Sequence, residues 1–275
     1  MKEGEIMEHI TLNNGIKMPL LGLGTWNLNG KECIDTVAAA IELGYRLIDT
    51  AQMYGNEKEV GKGIKQSNIE RKKLFVTTKL YQKSNSYEAA KRAIHESLCN
   101  LRLDYIDLLL LHEPYAEGCD MYKALEEAYR EGKIRAIGVS NYDQQWFETL
   151  IKQCSIVPSV NQVETHLYYQ KWNLQNYLHA KGTTMQAWSP LAQGKEDMIH
   201  HPQLQMIADK YHKTEAQIAL RFLTQRGISV IPKSKRKERL IENMNIFDFQ
   251  LADVEIQEIR KLDKNETLFS WTLDF

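Results

Sequence analysis

Residues 105–112 read Tyr105-Ile106-Asp107-Leu108-Leu109-Leu110-Leu111-His112. The run is short, almost wholly apolar and closed by one polar residue. A strand without polar alternation is buried on both faces, as strands of parallel sheets are. Upstream, Leu74-Phe75-Val76-Thr77-Thr78 closes on Lys79 in the same way, and Tyr45-Arg46-Leu47-Ile48 closes on Asp49. Tyr54 follows five residues later in D-T-A-Q-M-Y-G. Complementary polar side chains therefore stand at the ends of three successive buried runs.

Working outward, eight runs of this kind are predicted as strands: Leu20–Gly24, Arg46–Asp49, Leu74–Thr78, Tyr105–Leu111, Ile134–Val139, Ser159–Val163, Thr184–Trp188 and Ile228–Ile231. Helical patterns fill the gaps. Cys33–Leu43 stops at Gly44, Ser86–Leu98 gathers Ala90, Ala93, Ile94 and Leu98, Asp120–Glu131 stops at Gly132, and Thr214–Gln225 starts on a capping threonine. The last interval is longer and leaves room for a loop or short helix around Pro202–Lys210. Eight strand–helix units predict an α/β fold, a (β/α)8 TIM barrel spanning 1–275 as one domain. A doubly wound sheet would need a glycine-rich phosphate turn, and L-L-G-L-G-T-W lacks its third glycine and capped helix. His9–Leu12, Asn13-Asn14-Gly15 and Ile16–Met18 predict a β-hairpin around an N-G turn, placed at the bottom of the barrel.

The 275 residues are 43% apolar and carry 35 basic and 36 acidic side chains, a formal charge of −1. That balance gives no long-range pull toward nucleic acid or anionic lipid. No apolar run is long enough to span a membrane, and M-K-E-G-E-I-M-E-H-I has no signal-type apolar region, so a cytoplasmic protein is expected. Cys33, Cys99, Cys119 and Cys154 show neither a disulfide framework nor zinc spacing, and His200-His201 is a poor metal pair, so no metal is expected.

In a barrel the C-terminal strand ends surround one mouth. Asp49, Lys79 and His112 then end three adjacent strands, with Tyr54 in the loop between. A lysine ammonium favours phenolate and lowers a tyrosine's pKa. Tyr54 could thus protonate a developing alkoxide, with Asp49 holding Lys79 charged and His112 holding the carbonyl oxygen. Each residue alone also has a structural reading, as ion pair or hydrogen-bonded rim group. A second set is the basic run Lys233, Lys235, Arg236, Lys237 and Arg239 after the last strand. Entering a helix N-terminus, it suits a phosphate, though a charge run is also a common solvated face. A third set, Ser140-Asn141, Gln162 and Trp188, could satisfy a carboxamide and stack on a planar heterocycle such as nicotinamide.

G-Y-R-L-I-D-T-A-Q-M-Y-G-N-E, L-H-E-P, G-K-I-R-A-I-G-V-S-N-Y, N-Q-V-E, W-S-P-L and I-P-K-S together resemble the aldo-keto reductase family, in particular its bacterial diketogluconate-reductase-like and glyoxal-reductase-like branch. The resemblance runs from M-P-L-L-G-L-G-T-W to F-D-F-Q-L. It implies NADPH-dependent reduction of aldehydes or ketones, without metal, and a catalytic set of Asp49, Tyr54, Lys79 and His112 with Tyr54 as the acid. It implies cofactor contacts at Gly24, Thr25, Ser140, Asn141, Gln162, Trp188, Ser189 and Leu191, a 2′-phosphate group of Lys233, Ser234 and Arg239, and adenine contacts at Glu242 and Asn243. Trp26, Tyr54, His112 and Glu113 are implied to meet the substrate, a small-molecule carbonyl.

The chain departs from the pattern in several places, including Lys235 after Ser234 where relatives have Val or Asn. Where many relatives read H-W-P, it reads His112-Glu113-Pro114, which puts a carboxylate in place of an aromatic wall. Trp188 stands where many relatives have Tyr. The short ending N-E-T-L-F-S-W-T-L-D-F leaves Trp271, Leu273 and Phe275 either over the pocket or outside it. Two other classes compete: a Schiff-base aldolase using Lys79, and a nucleotide-binding regulatory barrel. A monomer is the expected state, with a weak homodimer as the alternative.

Overall fold

The computed structural model describes residues 7–270, so the expectation for Trp271, Leu273 and Phe275 lies outside the described residues. Strands β1 (His9–Thr11) and β2 (Lys17–Pro19) form an antiparallel hairpin. Its turn places Gly15 at φ +84, where a side chain is disfavoured. Eight parallel strands follow in chain order: β3 (Leu23–Gly24), β4 (Leu47–Asp49), β5 (Phe75–Leu80), β6 (Ile106–Leu111), β7 (Ile134–Ser140), β8 (Val160–Glu164), β9 (Thr184–Trp188) and β10 (Ser229–Val230).

The sheet closes on itself. Leu21 bridges Val230 in parallel, Val230 N donates to Leu20 O at 2.8 Å, and Gly22 N donates to Val230 O at 2.9 Å. A Cβ on Gly24 would lie 2.7 Å from the Ile231 carbonyl oxygen, so this seam needs glycine. The first and last barrel strands are shorter than their apolar runs, because closure uses a few bonds around an isolated bridge.

Burial on both faces explains the lack of polar alternation. Leu47, Phe75, Leu108, Leu110, Ala136, Val160 and Ile231 fill the barrel interior with Leu12 and Met18 of the hairpin. Ile48, Val76, Leu109, Leu111, Ile137 and Val139 face outward into a second core shared with the helices. The hairpin covers the bottom as expected. Asn14 Nδ2 donates to Arg135 O at 2.9 Å and Ser159 Oγ to Asn13 Oδ1 at 2.6 Å, both at N-terminal strand ends.

Three helix boundaries fall on the residues that signalled them, whereas Gly30–Leu43 starts ahead of Cys33, Tyr87–Leu101 runs past Leu98 and Gly118–Arg130 starts ahead of Asp120. Ser86 caps Tyr87–Leu101, Thr214 and Gln217 form a capping box on Glu215–Gln225, and Gly44 ends Gly30–Leu43 in the left-handed region. The long last interval holds the helix Pro202–Tyr211. Among the described residues no helix is long and apolar enough to cross a membrane.

Candidate active site

Alternation along each strand selects the rim residues. Leu47 faces the interior, and so does Asp49 two residues later. Phe75 leads through Thr77 to Lys79, and Leu108 through Leu110 to His112. Each barrel layer ends in a polar group at the C-terminal mouth. Tyr54 lies in a single 3-10 turn, Gln52–Tyr54, closed by Gly55 at φ +66. Buried Asn56 pins this loop: Nδ2 donates to Thr25 O and Leu28 O, both at 2.9 Å, and Oδ1 accepts from Thr50 Oγ1 at 2.7 Å.

All four residues meet. Lys79, 0% exposed, donates from Nζ to Asp49 Oδ1 at 2.6 Å, Thr50 O at 3.0 Å and the Tyr54 hydroxyl at 3.4 Å. An ammonium has three N–H groups, and each has an acceptor. Asp49 Oδ2 accepts from Gln162 Nε2 at 2.8 Å. The His112 ring stands edge-on to Tyr54 at a centroid separation of 5.7 Å, and the Trp26 ring also packs edge-on to Tyr54, at 4.9 Å.

Burial pushes the Lys79 pKa down, but the charge of Asp49 and the bonds to Asp49 and Tyr54 reverse this and hold it above its ordinary value. The lysine remains an ammonium. Burial also raises the Tyr54 pKa; Lys79 pulls it down, while Asp49 and Glu113 push it up, and the net direction is upward. The expected net lowering by Lys79 is therefore not found, because desolvation at the mouth outweighs the pull of the ammonium on this half-buried phenol. Burial, then Lys79, depress His112 well below the usual imidazole value, so its ring is neutral. Buried His112 Nδ1 has no hydrogen-bond partner among the described residues. A fully bonded, charged Lys79 is poorly suited to forming a Schiff base, which requires the free amine.

Beside this cluster lies a polar wall. Asn141, at φ +61, continues β7 into its loop. Ser140 Oγ and Asn141 N both donate to Gln162 O at 2.9 Å. Asn141 Nδ2 donates to Glu113 Oε2 at 2.9 Å, and Asn141 Oδ1 accepts from Trp188 Nε1 at 2.7 Å. Glu113 is 7% exposed. Burial pushes its pKa up to about 8, against the Asn141 bond and Lys79. Phe269 meets the Trp188 ring edge at 5.2 Å, and Glu164 holds that tail by accepting from Thr267 Oγ1 and Leu268 N.

The late basic segment forms a separate group. Lys233, Arg236, Lys237 and Arg239 are exposed, and the helix Lys237–Met244 starts without a side-chain cap on its N-terminus. Exposed cations at uncapped backbone N–H groups suit a phosphate. Ser234 is buried and accepts from Arg236 N at 3.1 Å. Lys235 pairs with Glu32 at 3.0 Å. Asn243 is buried, and the Glu242 carboxylate accepts from Thr214 Oγ1 at 2.6 Å. Ser189 has φ +48 and Leu191 is half-buried, both just past β9. Gly24 and Thr25 sit at the seam, where Thr25 Oγ1 donates to Asp49 O at 2.9 Å.

Three supporting residues escaped the sequence reading. Gln186 accepts from Gln162 Nε2 at 2.7 Å inside the barrel; a glutamine within the apolar T-M-Q-A-W run was its only signal. Asn56 and the Phe269 tail carried none that local patterning reads.

Residues 20–264 match the aldo/keto reductase family. The chain is 44% identical to the glyoxal reductase of Bacillus subtilis (strain 168), over 95% of each chain. The fold matches the crystal structure of an aldo-keto reductase enzyme from a Medee basin deep-sea metagenome library at TM-score 0.93, with 42% identity over 94% of this chain and 97% of that one. A Bombyx mori aldo-keto reductase in complex with NADP matches at TM-score 0.90, with 34% identity over 95% and 94% of the two chains.

Proposed function

The chain belongs to the aldo/keto reductase family, and we propose that it reduces small dicarbonyls of the glyoxal type at the Asp49–Tyr54–Lys79–His112 mouth. It is an NADP(H)-dependent oxidoreductase of aldehydes and ketones. Bound NADPH supplies the hydride, and the residues around it supply orientation and the proton.

One observation carries the assignment of roles. Lys79 donates into the Tyr54 oxygen at 3.4 Å while bonded to Asp49 at 2.6 Å. The lone pair of Tyr54 faces the lysine, which leaves its O–H to donate elsewhere. Tyr54 is the proton donor to the carbonyl oxygen, and Lys79 stabilises the phenolate left behind. Asp49 keeps Lys79 charged. His112, neutral, orients the carbonyl oxygen by donating from its ring. Ser140, Asn141, Gln162 and Trp188 hold the nicotinamide, with Gly24, Thr25, Ser189 and Leu191 beside it. Lys233, Ser234 and Arg239 hold the 2′-phosphate, and Glu242 and Asn243 the adenine.

The polar wall supports the substrate class. Glu113 and Trp26 edge the mouth, and a carboxyl group there can hydrogen-bond a second oxygen beside the reacting carbonyl. A carbonyl panel read with NADPH tests this. Glyoxal and methylglyoxal should exceed straight-chain aldehydes of similar size in kcat/KM, and a preference for the apolar aldehydes would overturn the substrate class. The same reading has one barrel domain over 1–275, acting as a monomer in the cytoplasm. The near-neutral charge of −1 supports a freely diffusing protein with neither nucleic acid nor membrane as partner.

The phosphate assignment has its own test. Lys233→Ala and Arg239→Ala should each weaken NADPH by about 10- to 100-fold, the range for a charge-assisted bond of roughly 1.5–3 kcal/mol. NADH binding should hardly change. Equal losses for both dinucleotides in a fluorescence titration would refute a 2′-phosphate clamp.

A further inference from the structure

We propose that Glu113 sets how the enzyme weighs oxidised against reduced cofactor, acting through the side-chain amide of Asn141. The inference rests on the reading of Asn141 as a nicotinamide contact.

The side chain of Asn141 is gripped at both ends. Its Nδ2 donates to Glu113 Oε2 at 2.9 Å and reaches the His112 carbonyl at 3.4 Å; its Oδ1 accepts from Trp188 Nε1 at 2.7 Å. Glu113 and Trp188, two of the residues that depart from the usual pattern of the fold's relatives, thus converge on one amide. With both N–H groups directed at protein acceptors, Asn141 keeps one lone pair on Oδ1 for a ligand. Any group that needs its N–H must contend with Glu113.

Glu113 also brings a carboxyl group into a dry wall. It is 7% exposed, and burial pushes its pKa up to about 8. The groups facing it are Lys79 from β5, which favours the carboxylate, and Tyr54, Tyr115 and Tyr142 from the adjoining loops, whose own pKa values Glu113 helps to raise. Its chain neighbour His112 is neutral. Lys79 is already committed to Asp49 at 2.6 Å, so among the described residues no dedicated cation neutralises Glu113.

The nicotinamide ring is cationic when oxidised and neutral when reduced. A carboxylate bonded to the amide that meets this ring attracts the oxidised form and does nothing comparable for the reduced form. Near neutral pH Glu113 is largely protonated, so the site tolerates NADPH and lacks the charge that would retain NADP+. Binding of NADP+ favours ionisation, and the carboxyl proton leaves to solvent. The folded pKa is raised in the free protein and in the NADPH complex, and lower in the NADP+ complex. The preference for NADP+ therefore grows as pH rises through the interval between those values and is absent below it.

Titration calorimetry in two buffers of different ionisation enthalpy counts the protons released on binding. The 2′-phosphate is common to NADP+ and NADPH, so its protons cancel in the difference. The wild type should release more protons with NADP+ than with NADPH at pH 7.5. Its affinity ratio should move about tenfold toward NADP+ between pH 6.5 and 9, the change produced by one unit of pKa displacement. Glu113→Gln keeps an acceptor for Asn141 and should abolish both effects, while Glu113→Asp should retain them. A glutamine variant with the wild-type proton difference and pH slope overturns the proposal. Asn141→Ala separates the two layers. Unchanged affinities for both cofactors refute the Asn141 contact and the route through it; weakened affinities with an unaltered slope in Glu113→Gln refute the role of Glu113 alone.

Discussion

Tyr54→Phe should lower kcat for carbonyl reduction by about a thousandfold, within the roughly 10²–10⁴ range that a positioned general acid contributes. NADPH binding should stay near wild type. The substitution removes one oxygen and keeps the ring, so the edge contacts to Trp26 and His112 persist. Lys79 loses its longest bond, at 3.4 Å, and keeps Asp49 and the Thr50 carbonyl. The loop also survives, because Asn56 rather than Tyr54 pins it. Single-turnover oxidation of NADPH, with cofactor affinity measured separately by fluorescence, distinguishes lost proton transfer from lost binding. A variant within tenfold of wild type on the best substrate would remove Tyr54 from the acid role.

The pH profile follows from the same environment. Burial raises the Tyr54 pKa above its ordinary value near ~10. The proton-donating form is therefore present throughout the neutral range and is lost only as pH climbs through that raised value. His112 is depressed by burial and Lys79, so its neutral form persists well into acid before it charges. Neither group limits reduction near pH 7, whereas Glu113, raised by burial to about 8, titrates close to neutrality.

The legible parts of this protein were those set by strand period and register. Asp49, Lys79 and His112 end their apolar runs because each continues an inward-facing row past the packed interior layers. That order is written along each strand. The helix Glu57–Gln66 was not legible, because it contains two glycines. Both are there for close approach: a Cβ on Gly61 would lie 2.4 Å from the Leu101 carbonyl oxygen, and one on Gly63 2.7 Å from Val37. Propensity counts them against a helix, and tertiary packing overrides it. The direction of the Tyr54 pKa was missed for a related reason. Sequence shows which charges lie near, whereas burial depends on the whole mouth, including Trp26 and His112. Glu113 was visible as a departure, but its bond to Asn141 joins the ends of two strands and no local pattern encodes it.

Lys79→Met should cost both activity and stability, and the pattern across partner variants separates the causes. Asp49 is 1% exposed, and Lys79 is its only cationic partner among the described residues. Removing the ammonium leaves the carboxylate with Gln162 Nε2 at 2.8 Å as its remaining side-chain bond. Breaking one side of a buried pair typically costs about 3–5 kcal/mol, much of it from the stranded charge. For a chain of this size that corresponds to a fall in Tm of roughly 5–9 °C. Asp49 can relieve part of the cost by taking up a proton, so the loss should be smaller at acid pH and larger above neutrality. Lys79→Met combined with Asp49→Asn removes the stranded charge and should recover most of the stability, since a well-packed neutral replacement of a buried pair is often close to neutral in energy. Turnover should not recover, because the cation that stabilises the phenolate of Tyr54 is still missing. Thermal and urea unfolding of the two single variants and the double variant give the coupling directly. A double variant as unstable as Lys79→Met alone would show that Lys79 stabilises the mouth through packing of its aliphatic chain rather than by neutralising Asp49.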